Sequence, residues 1–221
     1  AIVCDGMGGL EKGEVASATI IKKFSEWFET ELPYLLAKDN SYEEIRYRWD
    51  RIIKEQNQII GEYGRKHHIA LGTTFSALLI LEDGKYLIGH VGDSRVYKIT
   101  EENIEVITFD QTVVANEVKH GRLTPEQAER DSRRNVLLQC IGASKIVEPD
   151  FIAGQVNANE CYMLCSDGFR HVVTADEIKE AFAPSNNLDE TQMHKNIVKL
   201  IELNKEREET DNISAILIKT V

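Results

Sequence analysis

The chain opens on four apolar residues, Ala1-Ile2-Val3-Cys4, that stop at Asp5-Gly6 and give way to a Gly-rich turn, Gly6-Met7-Gly8-Gly9. A short buried strand running into a turn has this pattern. Apolar residues then recur at Val15, Ala18, Ile21, Phe24, Phe28, Leu32 and Leu35, which predicts an amphipathic helix that Pro33 kinks or ends. A second helix is predicted over 42–67, with Ile45, Trp49, Ile52, Ile53, Ile59, Ile60 and Tyr63 on one broad face. From Gly72 the period changes, and β-branched or aromatic runs predict strands over 73–81, 85–91, 94–99 and 104–107. The breaks between them, Glu82-Asp83-Gly84, Gly92-Asp93 and Glu101-Glu102-Asn103, are short enough to predict that consecutive strands pair as antiparallel neighbours.

A polar stretch, 110–134, carries short helical patterns, and Thr124-Pro125-Glu126-Gln127 places a cap residue before a proline suited to the first helical turn. Strands over 151–156 and 161–165, helices over 174–182 and 190–204 and a closing strand over 213–221 complete the pattern. Helices before and after a run of antiparallel strands predict sheets covered by helices on both outer faces, an α+β sandwich. No repeat, low-complexity segment or linker divides the chain, so 1–221 reads as one domain. Because the first residue already lies within a strand pattern, the sequence reads as cut at its amino end, with a first strand expected upstream.

Charge narrows the function. Lys and Arg total 26 against 37 Asp and Glu, and the net charge of −11 argues against nucleic acid or an anionic membrane as partner. Cys4, Cys140, Cys161 and Cys165 lack the paired spacing of a zinc site and read as reduced core residues. With no apolar run long enough to span a bilayer and no leader pattern, the cytoplasm is the expected compartment.

Candidate chemistry lies at strand ends. Asp5 follows Ile-Val-Cys, Asp93 follows His-Val-Gly, Asp167 follows Leu-Cys-Ser, and Asp211 precedes the last apolar run. If that last strand runs antiparallel to the other three, all four carboxylates meet at one edge. Singly, each is ordinary turn chemistry, but four together repel unless cations stand between them. Carboxylates, backbone carbonyls and water are the donors that hard ions such as Mg²⁺ and Mn²⁺ prefer.

Val3-Cys4-Asp5-Gly6-Met7-Gly8-Gly9, Gly72-Thr73-Thr74, Gly89-His90-Val91-Gly92-Asp93-Ser94-Arg95, Leu164-Cys165-Ser166-Asp167-Gly168-Phe169 and Thr210-Asp211-Asn212-Ile213-Ser214 resemble, in order and spacing, the motifs of the protein phosphatase 2C family in its bacterial form. The segment from Gly121 to Ala128 resembles the flap of bacterial members, within a flap-like stretch 110–135. The resemblance implies a four-layer α-β-β-α sandwich of two mainly antiparallel sheets. It implies a metal-dependent serine/threonine phosphatase that hydrolyses phosphoserine and phosphothreonine with an activated water, and for which Mn²⁺ or Mg²⁺ forms a core pair joined by a third, weaker ion. Asp5 would bridge the core pair, the Gly6 carbonyl would touch the second ion, Asp167 and Asp211 would hold the first, and Asp93 with Asp167 would hold the third.

Phosphorylated proteins are the implied substrates, with a cognate Ser/Thr protein kinase as the counterpart. Family members carry, upstream of the opening strand, a phosphate-gripping arginine and an acidic metal contact that this sequence does not contain, and Met7 stands where eukaryotic relatives place a histidine acid. The alternative is a non-catalytic regulatory or binding module of the same fold. A metal phosphoesterase acting on small molecules is a third reading.

Other residues invite less exotic readings. Thr74 is expected to satisfy a strand backbone or to sit near the site centre, and His90 to point into the core or towards the site. His120 in the flap and His171 after Asp167 are expected on loops, and His67 and His68 at a helix end. Cys165 does not make a cysteine phosphatase, because Ser166-Asp167-Gly168-Phe169 is acidic where a phosphate-cradling loop needs positive charge.

Overall fold

The computed structural model describes residues 1–7, 12–38 and 41–221, so Gly8 and Gly9 of the first motif lie outside the described residues. Among the described residues, the strands form two antiparallel sheets. The first has the order β1 (Ile2–Val3), β2 (Phe75–Ile80), β3 (Lys85–Val91), β6 (Asp150–Gln155). The second has the order β5 (Ile104–Val106), β4 (Arg95–Ile99), β7 (Cys161–Cys165), β8 (Ala215–Lys219).

Period-two side chains give the central strands two buried faces. In β2, Phe75, Ala77 and Leu79 pack outward under α1 (Gly13–Thr30) and α3 (Ser41–His67), while Leu78 faces the second sheet. In β7, Cys161, Met163 and Cys165 pack under α7 (Ala175–Phe182) and α8 (Glu190–Glu206), while Tyr162 and Leu164 fill the space between the sheets. The result is the expected α-β-β-α sandwich. Short helices occupy the remaining connections: α2 (Leu32–Leu36), α4 (Val113–Lys119), α5 (Pro125–Arg130) and α6 (Asp167–Arg170). Thr124 and Gln127 cap α5 reciprocally, and Pro33 lies in the first turn of α2, where its missing N–H costs nothing.

Two expectations are corrected. The buried stripe of α1 is Ala16, Ile20, Phe24 and Trp27, whereas Val15, Ala18, Ile21 and Phe28 are exposed. Successive steps of three rotate backwards around a helix, so 15, 18 and 21 spiral away from any single face, while steps of four and three hold one. Ile59 and Tyr63 of α3 are likewise exposed. The second correction concerns pairing. β2 pairs with β3 and β4 with β5, but β3 and β4 do not pair with each other, because the Gly92-Asp93 turn carries the chain from one sheet to the other.

Candidate metal centre

That crossing defines the site. Gly92 adopts φ +105°, and a Cβ there would come within 2.7 Å of the Thr74 side chain, so glycine alone fits beside β2 at this point. Asp93 follows it, buried at the mouth between the sheets. Asp5 lies just past β1 and Asp167 just past β7, and Asp211 stands before β8, whose Ala215 pairs with Cys165. Since β1 and β3 both run antiparallel to β2, and β8 antiparallel to β7, the four aspartates collect at one edge.

Hydrogen bonds hold the backbone of each loop there. Thr74 N–H and the Thr73 hydroxyl both donate to the Asp5 carbonyl, each at 2.9 Å, and the Asp5 N–H donates to Thr74 Oγ1 at 2.9 Å. Thr74 also shares a 2.7 Å hydrogen bond with Ser94 Oγ, one residue from Asp93, so it links two of the acidic loops. Ser166 joins the other two: its hydroxyl donates to Asn212 O at 2.9 Å and accepts from Ser214 N–H at 3.1 Å. Gly168 permits that approach, since a Cβ on it would meet Asn212 O at 2.6 Å. Gly6 is equally confined, its Cα facing the Gly13 backbone at the start of α1.

The carboxylates sense one another. Burial first, and then the charges of Asp167, Asp211 and Asp93, push the Asp5 carboxyl up to about 8. Burial and Asp167 likewise push Asp93 up to about 7, against the pull of Arg170. Four like charges gathered at one edge, with Asp93 buried among them, make a donor set suited to hard divalent cations, and the residues present fit such ions. Asp167 and Asp211 each spend one oxygen on a local N–H, of Gly168 at 2.8 Å and Asn212 at 2.7 Å.

Several residues near the site escaped sequence reasoning. His171, expected on a loop after Asp167, ends α6 one turn after it, and its ligand nitrogen, Asp167 and Asp211 present donor atoms all within 4.8 Å of one another. The i, i+4 spacing of Asp167 and His171 was the available signal. Arg170 donates to the Asp93 carbonyl at 3.1 Å and to Asp110 Oδ2 at 3.2 Å, and Arg95 grips Asp110 through two bonds of 2.8 Å. Nothing in the sequence pattern singled out Asp110.

The remaining candidates take structural roles. His90 is fully buried, 2.9 Å from Ser76 Oγ and 3.1 Å from Phe109 O, and burial holds it below its usual range. Exposed His120 caps α4, with Nδ1 2.7 Å from Asn116 O. The Cys165 thiol is pushed up to about 12 by its burial, and all four cysteines are free. A cavity of about 610 Å³ lies between α3 and the 142–148 loop, lined by Lys54, Arg65 and Lys145 among others, and none of the four aspartates borders it. Among the described residues, no helix is long and apolar enough to cross a membrane.

A family model described as protein phosphatase 2C matches residues 1–202. The protein phosphatase PhpP of Streptococcus pneumoniae serotype 2 is 30% identical over 181 residues, covering 81% of this chain and 70% of that protein. Among solved structures, the serine/threonine phosphatase Stp1 of Staphylococcus aureus superposes with a TM-score of 0.86 at 30% identity, over 100% of this chain and 83% of that one. The catalytic domain of the serine threonine protein phosphatase PstP, solved with two manganese ions, gives 0.78 at 27% identity over 98% of this chain and 85% of its own.

Proposed function

Because the chain belongs to the protein phosphatase 2C family, we propose that its four-aspartate edge is the active centre of a metal-dependent serine/threonine protein phosphatase. The convergence of Asp5, Asp93, Asp167 and Asp211, with Asp5 pushed up by burial and then by its neighbours' charges, is the observation that carries this reading. In it, Asp5, the Gly6 carbonyl, Asp167 and Asp211 would hold two core ions, and Asp93 with Asp167 would hold a third and weaker one. Mn²⁺ or Mg²⁺ suits these oxygen donors, and the manganese pair in PstP favours the former.

Bound cations supply the Lewis acidity that makes water nucleophilic at neutral pH and the charge that offsets the phosphoryl oxygens. The protein's part is to fix its carboxylates in place. Thr73 and Thr74 lock the Asp5 backbone, Ser166 ties Asp167 to the Asp211 loop, and Gly92 sets Asp93 between the sheets. Such prior fixation leaves little reorganisation for the reaction step. Substrates in this reading are phosphorylated proteins, supplied by a cognate Ser/Thr kinase. Four free cysteines, three of them buried, suit a reducing compartment such as the cytoplasm.

Hydrolysis of a phosphothreonine peptide with and without Mn²⁺, on the chain and its Asp5→Asn variant, tests the proposal. Activity should require the ion and fall by at least ~100-fold in the variant, since losing a first-sphere ligand should cost no less than the 10- to 100-fold of outer-shell partners. Titration calorimetry showing unchanged metal binding in both Asp5→Asn and Asp167→Asn would refute it.

A further inference from the structure

His171 stands beside the carboxylates with each ring nitrogen facing an acidic side chain. Nε2 lies 3.4 Å from Asp167 Oδ2, and Nδ1 lies 3.3 Å from Glu209 Oε2. The Glu209 carboxylate is nearly buried and held still, because its other oxygen accepts from the N–H groups of Thr210 at 2.9 Å and Asp211 at 2.8 Å. A carboxylate set close to one ring nitrogen orients the imidazole and leaves the other nitrogen facing away from it. Here the outward nitrogen is Nε2, and it faces Asp167 and Asp211.

The spacing suits a shared cation better than a hydrogen bond. An N–H···O bond spans about 2.7–3.2 Å, shorter than the gap from Nε2 to Asp167 and also shorter than that from Nδ1 to Glu209, so neither contact is a hydrogen bond. Adjacent donors on one ion with bonds of about 2.1 Å lie about 3 Å apart, and opposite ones about 4.2 Å. The 3.4 Å separation falls between these values, and the 4.8 Å limit on the whole cluster needs only a small side-chain rotation to close.

We propose that His171 is a nitrogen ligand of the ion held by Asp167 and Asp211, with Glu209 as the positioning residue that orients its ring. This rests on the metal-dependent reading above and sharpens it. A nitrogen donor favours Mn²⁺ and other transition ions over Mg²⁺, which holds to oxygen and water. This site therefore selects its metal through a residue outside the aspartate set.

Electron spin-echo envelope modulation of the Mn²⁺-loaded chain reads the ligand directly. The expected spectrum carries ¹⁴N modulation that disappears in His171→Gln while one Mn²⁺ remains at the site. Calorimetry should show Mn²⁺ affinity falling about 10-fold or more in that variant, with Mg²⁺ affinity changing much less. In Glu209→Gln the modulation should persist with weaker Mn²⁺ binding. Bound Mn²⁺ without ¹⁴N modulation in the unaltered chain would overturn the proposal and leave His171 as a bridge between Asp167 and Glu209, with the phosphatase reading intact. Modulation that survives in His171→Gln would overturn it as well. Failure of the unaltered chain to bind Mn²⁺ would overturn both the proposal and the metal-dependent reading beneath it.

Discussion

Asp93, buried, and Asp110, largely buried, are acids joined to the same arginine, yet they behave oppositely. Burial alone would raise Asp110, but the paired bonds from Arg95 and the charge of Arg170 bring it below the usual carboxylate range. Asp93 offers Arg170 only its backbone carbonyl, its side chain faces Asp167, and it rises to about 7. The first arrangement is complete within the protein and serves to hold it together. The second is incomplete and wants a positive charge from outside, so unbalanced charge, more than burial, marks the functional side of this edge.

Breaking the balanced side should have the largest effect. Arg95→Met leaves Asp110 half-compensated in the interior and should cost about 3 kcal/mol of stability in urea unfolding. Adding Asp110→Asn to that variant should recover much of the loss, since the isolated charge is gone. If the double variant is no more stable than the single one, the network is not what separates Asp110 from Asp93.

The unbalanced side should show itself in pH dependence. Asp5 and Asp93 have folded-state values raised to about 8 and about 7, so the folded chain without metal holds protons that the unfolded chain releases near pH 4. Stability from those protons is full below about pH 4 and drains away as pH rises through 7 to 8. Differential scanning calorimetry of the metal-stripped chain should show Tm declining from pH 5 to 8 by several degrees, at roughly 2–4 °C per kcal/mol. Saturating Mn²⁺ should flatten the decline, because cations take the place of the protons. A metal-stripped Tm that rises over this range would contradict the comparison.

The smallest effect belongs to the residue that ties loops without carrying charge. Thr74→Val keeps shape but removes the acceptor for Asp5 N–H and the link to Ser94, at a cost of about 1–2 kcal/mol. A loss of metal affinity as large as that of Asp5→Asn would move Thr74 from support to ligand.

Much of this was present in the chain itself. Alternating apolar runs in β2, β3 and β7 fix which residues point to either face, because a strand's side-chain period does not depend on its partners. The cap and proline of α5 and the carboxylates at strand ends are equally local, since caps and turns are decided within a few residues. The α1 stripe was less legible: more apolar residues lie on that helix than its buried face can hold, and only packing against Phe75 and Trp49 selects Ala16, Ile20, Phe24 and Trp27. Pairing across the Gly92-Asp93 turn was hidden too, since a two-residue connection serves a hairpin or a crossing between sheets equally well. Asp110, Arg170 and Glu209 gained their meaning only when segments distant in sequence came together, as Arg170 does with Asp110, 60 residues away. Sequence set the chemical kind of each group, and tertiary structure decided which charges found a partner, because compensation depends on distances that no local pattern encodes.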